Sequence, residues 1–159
     1  MSQRANYQQQ SPELSEKLIE LGMLLGKSSI EASIQDLVSI RASQINGCAF
    51  CLDMHVKQAT IHGERALRIH HLSAWRESTL FSPRERASLA WTEVLTQIPA
   101  QGVSDDIYDR VRAELSEKEM SDLVFAIGAI NAWNRVNIAF RVVPGSLDKL
   151  YGLDKAQLA

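Results

Sequence analysis

The stretch "DLVSIRASQINGCAFCLDMHVKQA", residues 36–59, contains two helical patterns that meet at a break. Upstream of the break, Ile30, Ile34, Leu37, Val38 and Ile40 recur at helical spacing, which predicts a helix with one buried face. Ser28 and Glu31 are spaced as a capping box for its start. Asn46 and Gly47 then interrupt the pattern. A following helix is expected from Cys48 to near Gly63. Its first turn carries both cysteines of the chain, Cys48 and Cys51, with His55 one turn further on.

Working outward, almost every other segment also reads as helix. Ser11 and Pro12 start one that stops at Gly22 or Gly26. A short one is expected over residues 64–73. Ser82, Pro83 and Glu85 open another, and Ser104 caps a further one that begins Asp105, Asp106. Ser116 and Glu119 form a capping box for a long helix reaching about Arg141, closed by Pro144 and Gly145. No stretch alternates as a strand would, and no repeat is evident. The expected fold is all-α, a single-domain bundle of six or seven helices over residues 11–159, preceded by a polar N-terminal arm, residues 1–10.

Composition narrows the function. The 159 residues are 45% apolar and 23% charged, with a formal net charge of −2. With no cationic surplus, neither nucleic acid nor an anionic membrane surface is an expected partner. The N-terminal "MSQRANYQQQ" lacks the apolar core of a secretory signal, and the longest apolar run, "LVFAIGAI" at 123–130, is too short for a membrane span. A cytoplasmic location is therefore expected. In a reducing compartment, a close cysteine pair points to redox chemistry or metal binding rather than a structural staple. The long helix is apolar nearly all round from Leu123 to Ile130, which suggests burial against another copy and hence a homo-oligomer.

The cysteine pair carries the chemistry. At about 100° per residue, Cys51 lies about 60° and His55 about 20° behind Cys48, so the three side chains form one stripe. Free N–H groups and the helix dipole favour a thiolate in the first turn, drawing its pKa from about 8.5 toward neutrality. His55 can take up or return the proton. A thiolate that attacks a peroxide becomes a sulfenic acid, and a second thiol within reach closes a disulfide. Asp36, on the preceding helix, is the carboxylate expected behind His55 if the two helices pack as an antiparallel pair. A zinc clasp of Cys48, Cys51 and His55 is an alternative, although no second ligand pair is spaced for it. Two buried, inert thiols are another.

The same stretch is similar to the core motif of the AhpD-like alkylhydroperoxidases of the carboxymuconolactone decarboxylase superfamily. That motif is an acid, eleven spacers, then C-x-x-C-x-x-x-H, matched by Asp36, Cys48, Cys51 and His55. "LSAWRES", "FSPRERASLAWTEVLT" and "AINAWNRVNIAFR" extend the resemblance over most of residues 30–142. It implies an AhpD-like helical fold and a peroxidase without prosthetic group. Cys51 would be the attacking thiol, Cys48 the resolving thiol, His55 the relay base and Asp36 its acid. It also implies a hydroperoxide substrate, an external dithiol or redoxin reductant such as a lipoyl group, and a trimer or hexamer. Two positions depart from the family pattern. Asp36 stands where glutamate is usual, so water is expected to bridge it to His55. Phe50 stands between the cysteines, where well-characterised members have histidine. A decarboxylase-like lyase and a zinc- or redox-sensing helical oligomer without catalysis are the alternatives; true carboxymuconolactone decarboxylases lack the cysteine pair.

Other conspicuous residues have plainer readings. His62 reads as structural, and His70 and His71 as a surface or interface pair. Asn131, Asn134 and Asn137, every third residue of the long helix, are expected to bond between helices or subunits. Trp75, Trp91 and Trp133 are expected in the core or an interface, and Asp105, Asp106 and Asp109 at a solvated helix start.

Overall fold

The structure, a computed structural model, describes residues 2–158. Nine α-helices follow one another among the described residues: α1 (Tyr7–Gln10), α2 (Pro12–Leu25), α3 (Ala32–Asn46), α4 (Ala49–Ile61), α5 (Ala66–His71), α6 (Pro83–Gln97), α7 (Asp105–Arg112), α8 (Glu117–Phe140) and α9 (Asp148–Tyr151). Turns of 3-10 helix occupy Leu72–Ala74 and Leu153–Ala156. No strand occurs among the described residues. The all-α single domain expected from the sequence is therefore present. Its seven longer helices are the ones read from periodicity; α1 and α9 are of four residues each, too short to show a period.

Helix starts follow local chemistry in most places. Ser82 with Glu85, and Ser116 with Glu119, form complete capping boxes at α6 and α8. The box expected of Ser28 and Glu31 does not form. Glu31 is instead the N-cap residue of α3, and its carboxylate accepts from Arg84 Nε at 2.9 Å and Nη2 at 3.0 Å. Ser28 Oγ accepts from Gln35 Nε2 at 3.3 Å. A bidentate guanidinium outcompetes a single backbone N–H for the carboxylate.

α3 and α8 run through the middle. On one side of α3, Ile34 and Val38 pack with Trp91, Val111, Leu115, Leu123 and Ile127. On the other, Leu37 and Ile40 pack with Ala59, Leu72, Trp75 and Leu89. A third cluster joins Ala42, Cys48, Phe50 and Cys51 to Ile130 of α8. By length and composition α8 could cross a bilayer; here it is a central bundle helix with α2, α3, α4, α6 and α7 against it.

Both chain ends are fastened to this centre. The stretch expected to be a polar arm is seated on the C-terminal end of α8. There the Arg4 N–H donates to Phe140 O at 2.9 Å and its Nη1 to Ala139 O at 3.1 Å. The Tyr7 ring packs against Phe140 at 5.8 Å and Trp133 at 6.3 Å between centroids. At the other end, Lys57 Nζ of α4 donates to Asp53 Oδ2 at 2.8 Å and to Asp148 Oδ2 at 2.7 Å. The Gly145 N–H donates to the same Asp53 oxygen at 3.0 Å. Met1 and Ala159, the outermost residues of the two sequence segments, lie outside the described residues.

Candidate active site

The site begins at the link between α3 and α4. Gly47 ends α3 with φ +69°, a left-handed conformation that costs glycine little, and its N–H donates to Gln44 O and Ser43 O. The chain turns there, so α3 and α4 form a helical hairpin. Cys48 follows as the N-cap of α4, and its Sγ accepts the Cys51 N–H at 3.3 Å. Sulfur thus occupies the place where a capping oxygen usually sits.

The two cysteines are joined as a disulfide, with their Cα atoms 5.4 Å apart, within the ordinary range for a bridge. Both are buried. Cys51, not Cys48, lines a cavity of about 660 Å³ walled by α2, α3, α4, α8 and the two chain ends. The walls are largely apolar, among them Phe50, Met54, Ile130 and Trp133. His55, Gln58, Asp36 and His62 supply polar atoms. A second cleft of about 670 Å³ lies between α6 and α7, lined by Trp75, Arg86, Glu93 and neighbours that include no cysteine or histidine.

His55 lines the cavity with its Nδ1 3.2 Å from Gln58 Oε1. Burial pushes the imidazole down to about 4, and the Gln58 hydrogen bond opposes that only in part. The ring is neutral at pH 7. With Gln58 Oε1 as acceptor, its proton sits on Nδ1 and Nε2 is a free base.

The structure brings Asp36 into the same cavity but not onto His55. Its carboxylate meets His62 Nδ1 at 2.6 Å. The expected contact between Asp36 and His55 is therefore corrected: His55 is oriented by Gln58, and Asp36 by His62. Asp36 is buried, and that burial raises its carboxyl above the usual range, with the His62 hydrogen bond working against it. His62, expected to be structural, belongs to the polar side of the cavity.

The sequence reading missed two further groups at the sulfur. Asn137 Nδ2 donates to Cys51 Sγ at 3.4 Å, and the Tyr7 hydroxyl donates to Asn137 Oδ1 at 3.4 Å. Gln58 could have been found, because it lies three residues after His55 on one helix face. Asn137 had a partial signal as the last of three evenly spaced asparagines. Nothing local marked Tyr7. All three asparagines bond between helices, as expected. Asn46 Nδ2 donates to Asn131 Oδ1 at 3.0 Å and to Asn134 Oδ1 at 2.8 Å, and Asn134 Nδ2 donates to Ser43 Oγ at 3.1 Å.

The remaining residues are placed simply. Trp75 and Trp91 are in the core, while Trp133 lines the cavity. His70 and His71 are exposed, and Asp105, Asp106 and Asp109 lie at the solvated start of α7. Among the described residues no three His, Cys, Asp or Glu side chains gather in a way that could hold a metal ion.

Comparison with known proteins gives the family and supports the fold. Residues 12–94 match the family model described as the carboxymuconolactone decarboxylase family. The uncharacterized protein YdfG of Bacillus subtilis (strain 168) is 43% identical over 139 residues, covering 87% of this chain and 95% of that one. A crystal structure from Agrobacterium tumefaciens, of a protein of unknown function with a suggested AhpD antioxidant-defence role, superposes with TM-score 0.86 at 40% identity. It covers 90% of this chain and 98% of its own. An uncharacterized peroxidase-related protein from Ralstonia eutropha JMP134, described as an alkylhydroperoxidase AhpD core, shares the fold at TM-score 0.77 and 14% identity. That match covers 87% of this chain and 74% of the other.

Proposed function

Because the chain belongs to the carboxymuconolactone decarboxylase family, we propose that it works as an AhpD-type thiol peroxidase. It would reduce hydroperoxides with the Cys48–Cys51 pair. The observation that carries this reading is the disulfide at the start of α4, with Cys51 facing a cavity that also holds a neutral histidine.

The cycle starts from the reduced pair. His55 Nε2 takes the Cys51 proton, and the thiolate attacks the outer oxygen of a hydroperoxide, ROOH. A sulfur–oxygen bond forms as the oxygen–oxygen bond breaks, giving Cys51 sulfenic acid and an alkoxide. The alkoxide takes the proton from His55 and leaves as the alcohol. The Cys48 thiol then attacks the sulfenic sulfur, closes the disulfide and releases water. An external dithiol, such as a reduced lipoyl group or a redoxin, restores both thiols and is itself oxidised. Cys48, outside the cavity lining and already hydrogen-bonded to its own helix turn, suits the resolving role; Cys51, on the cavity wall, suits attack. Asp36 acts within the cavity through His62 in this reading, as a second proton-holding pair.

The test is hydroperoxide consumption by single-cysteine variants. Cys51→Ser is expected to abolish it. Cys48→Ser is expected to consume one equivalent, leave a sulfenic acid that a dimedone-type reagent traps, and then stop. Full turnover by Cys51→Ser rejects the assignment, and decarboxylation of a small lactone acid that survives alkylation of both thiols points to the lyase chemistry instead. The reading also includes assembly: further copies of this chain would cover the apolar outer face of α8, where Val124 and Phe125 are exposed.

A further inference from the structure

We propose that Asn137 is a catalytic residue that holds Cys51 as its thiolate, and that Tyr7 positions it. This rests on the reading of Cys51 as the attacking sulfur.

The asparagine's partners set it apart. Asn134 bonds to Asn46 and Ser43, and Asn131 to Thr96 and Asn46 and, within its own helix, to Ile127 O and Arg135. The Asn137 side chain, further along α8, bonds among the described residues only to the Cys51 sulfur and the Tyr7 hydroxyl. It is 3% exposed and lies on the cavity wall. A buried amide N–H needs a real acceptor, and a disulfide sulfur is a feeble one. A thiolate at the same place is a full anionic acceptor. The donor is therefore already aimed where charge develops once the pair is reduced and Cys51 loses its proton.

The amide would harm the thiolate if it were turned over, because Oδ1 would then face the negative sulfur. The Tyr7 hydroxyl guards against that. It donates to Oδ1 across a long 3.4 Å contact, and Phe140 and Trp133 hold its ring. Burial, with a smaller contribution from Tyr151, raises the Tyr7 phenol above its ordinary value, so it keeps its proton and remains a donor. The division of labour is clear: His55 accepts the proton, and Asn137 stabilises the anion left behind.

The test titrates Cys51 as the lone thiol in a Cys48→Ser background, following thiolate absorbance or iodoacetamide alkylation against pH. Asn137→Leu keeps the bulk and removes the donor. It is expected to raise the Cys51 pKa by about one unit or more, roughly a ten-fold loss of thiolate at neutral pH. Tyr7→Phe removes only the hydroxyl and should shift it the same way by about two- to three-fold. Asn137→Leu titrating like the parent overturns the proposal, even if it melts at a lower temperature, because that marks a purely structural role. If Asn137→Leu does not fold, an unshifted Tyr7→Phe overturns it instead. Neither titration uses a hydroperoxide. A parent protein that consumes none, with Asn137→Leu still shifted, would reject the peroxidase reading and leave only the thiolate-holding contact standing.

Discussion

His55 is a base whose usefulness comes from having lost its charge. Burial holds it near 4, against an ordinary 6.5. Between those values the unfolded chain binds a proton that the folded chain refuses, so stability rises with pH across that window. It is fully present above about pH 6.5 and is lost as pH falls through about 4, by at most about 3 kcal/mol. Asp36 has the opposite sign: its raised pKa favours the folded state when it is protonated. Urea unfolding of the wild type from pH 7 down to pH 4 should show the loss, and His55→Gln should lack most of it. Parallel pH profiles for the two proteins would mean that His55 is not buried as described. At this scale Cys48, Cys51 and His55 were legible, because their relation is set by one helix. The partner of Asp36 was not. His55 and His62 lie seven residues apart and share a face of α4, so periodicity alone cannot choose between them. Side-chain direction decides. In a helix each Cβ leans toward the N-terminus. In an antiparallel hairpin Asp36 and His62 therefore lean toward each other, while His55 leans away toward the cysteines. Aspartate is too short to reach back.

At the scale of elements, α8 is set against the α3–α4 hairpin by polar side chains as much as by packing. Asn134 is fully buried and bonds to both Asn46 and Ser43. Asn134→Leu would strip the Ser43 hydroxyl of its donor and Asn46 of one acceptor in a dry site. A loss of about 2–3 kcal/mol is expected, read as a lower urea midpoint. A change below about 0.5 kcal/mol would mean that the stripe is not what locks the helices. The spacing of the asparagines was visible in the sequence, as was the need for partners. Which of the three would meet the sulfur of α4 was not visible, because it depends on how α8 is set against the hairpin. The failed cap at Ser28 has a similar origin: Arg84, far along the chain, took the carboxylate that a local pattern had assigned to the backbone.

For the whole molecule, the central position of α8 was readable from its lack of a polar face. Inside one chain that burial is incomplete: Phe125 remains 60% exposed and Val124 41%. Side chains of this size are more stable covered. The expected outcome is a sedimentation mass of three or six times 17.8 kDa, falling toward a single chain for Phe125→Glu. A wild-type mass of 17.8 kDa would reject the assembly. The seating of the N-terminal residues, by contrast, left no trace in the local sequence, since Arg4 and Tyr7 act through partners more than a hundred residues away.

That seating bears on when the protein becomes reactive. One wall of the cavity includes Tyr7, and another is built from Leu147, Tyr151 and Leu153. A chain still emerging from the ribosome already carries both thiols, yet it has neither the asparagine beside them nor the C-terminal wall. Its sulfur chemistry would begin only after the segment from Asn137 to Leu153 has been made and folded over the hairpin.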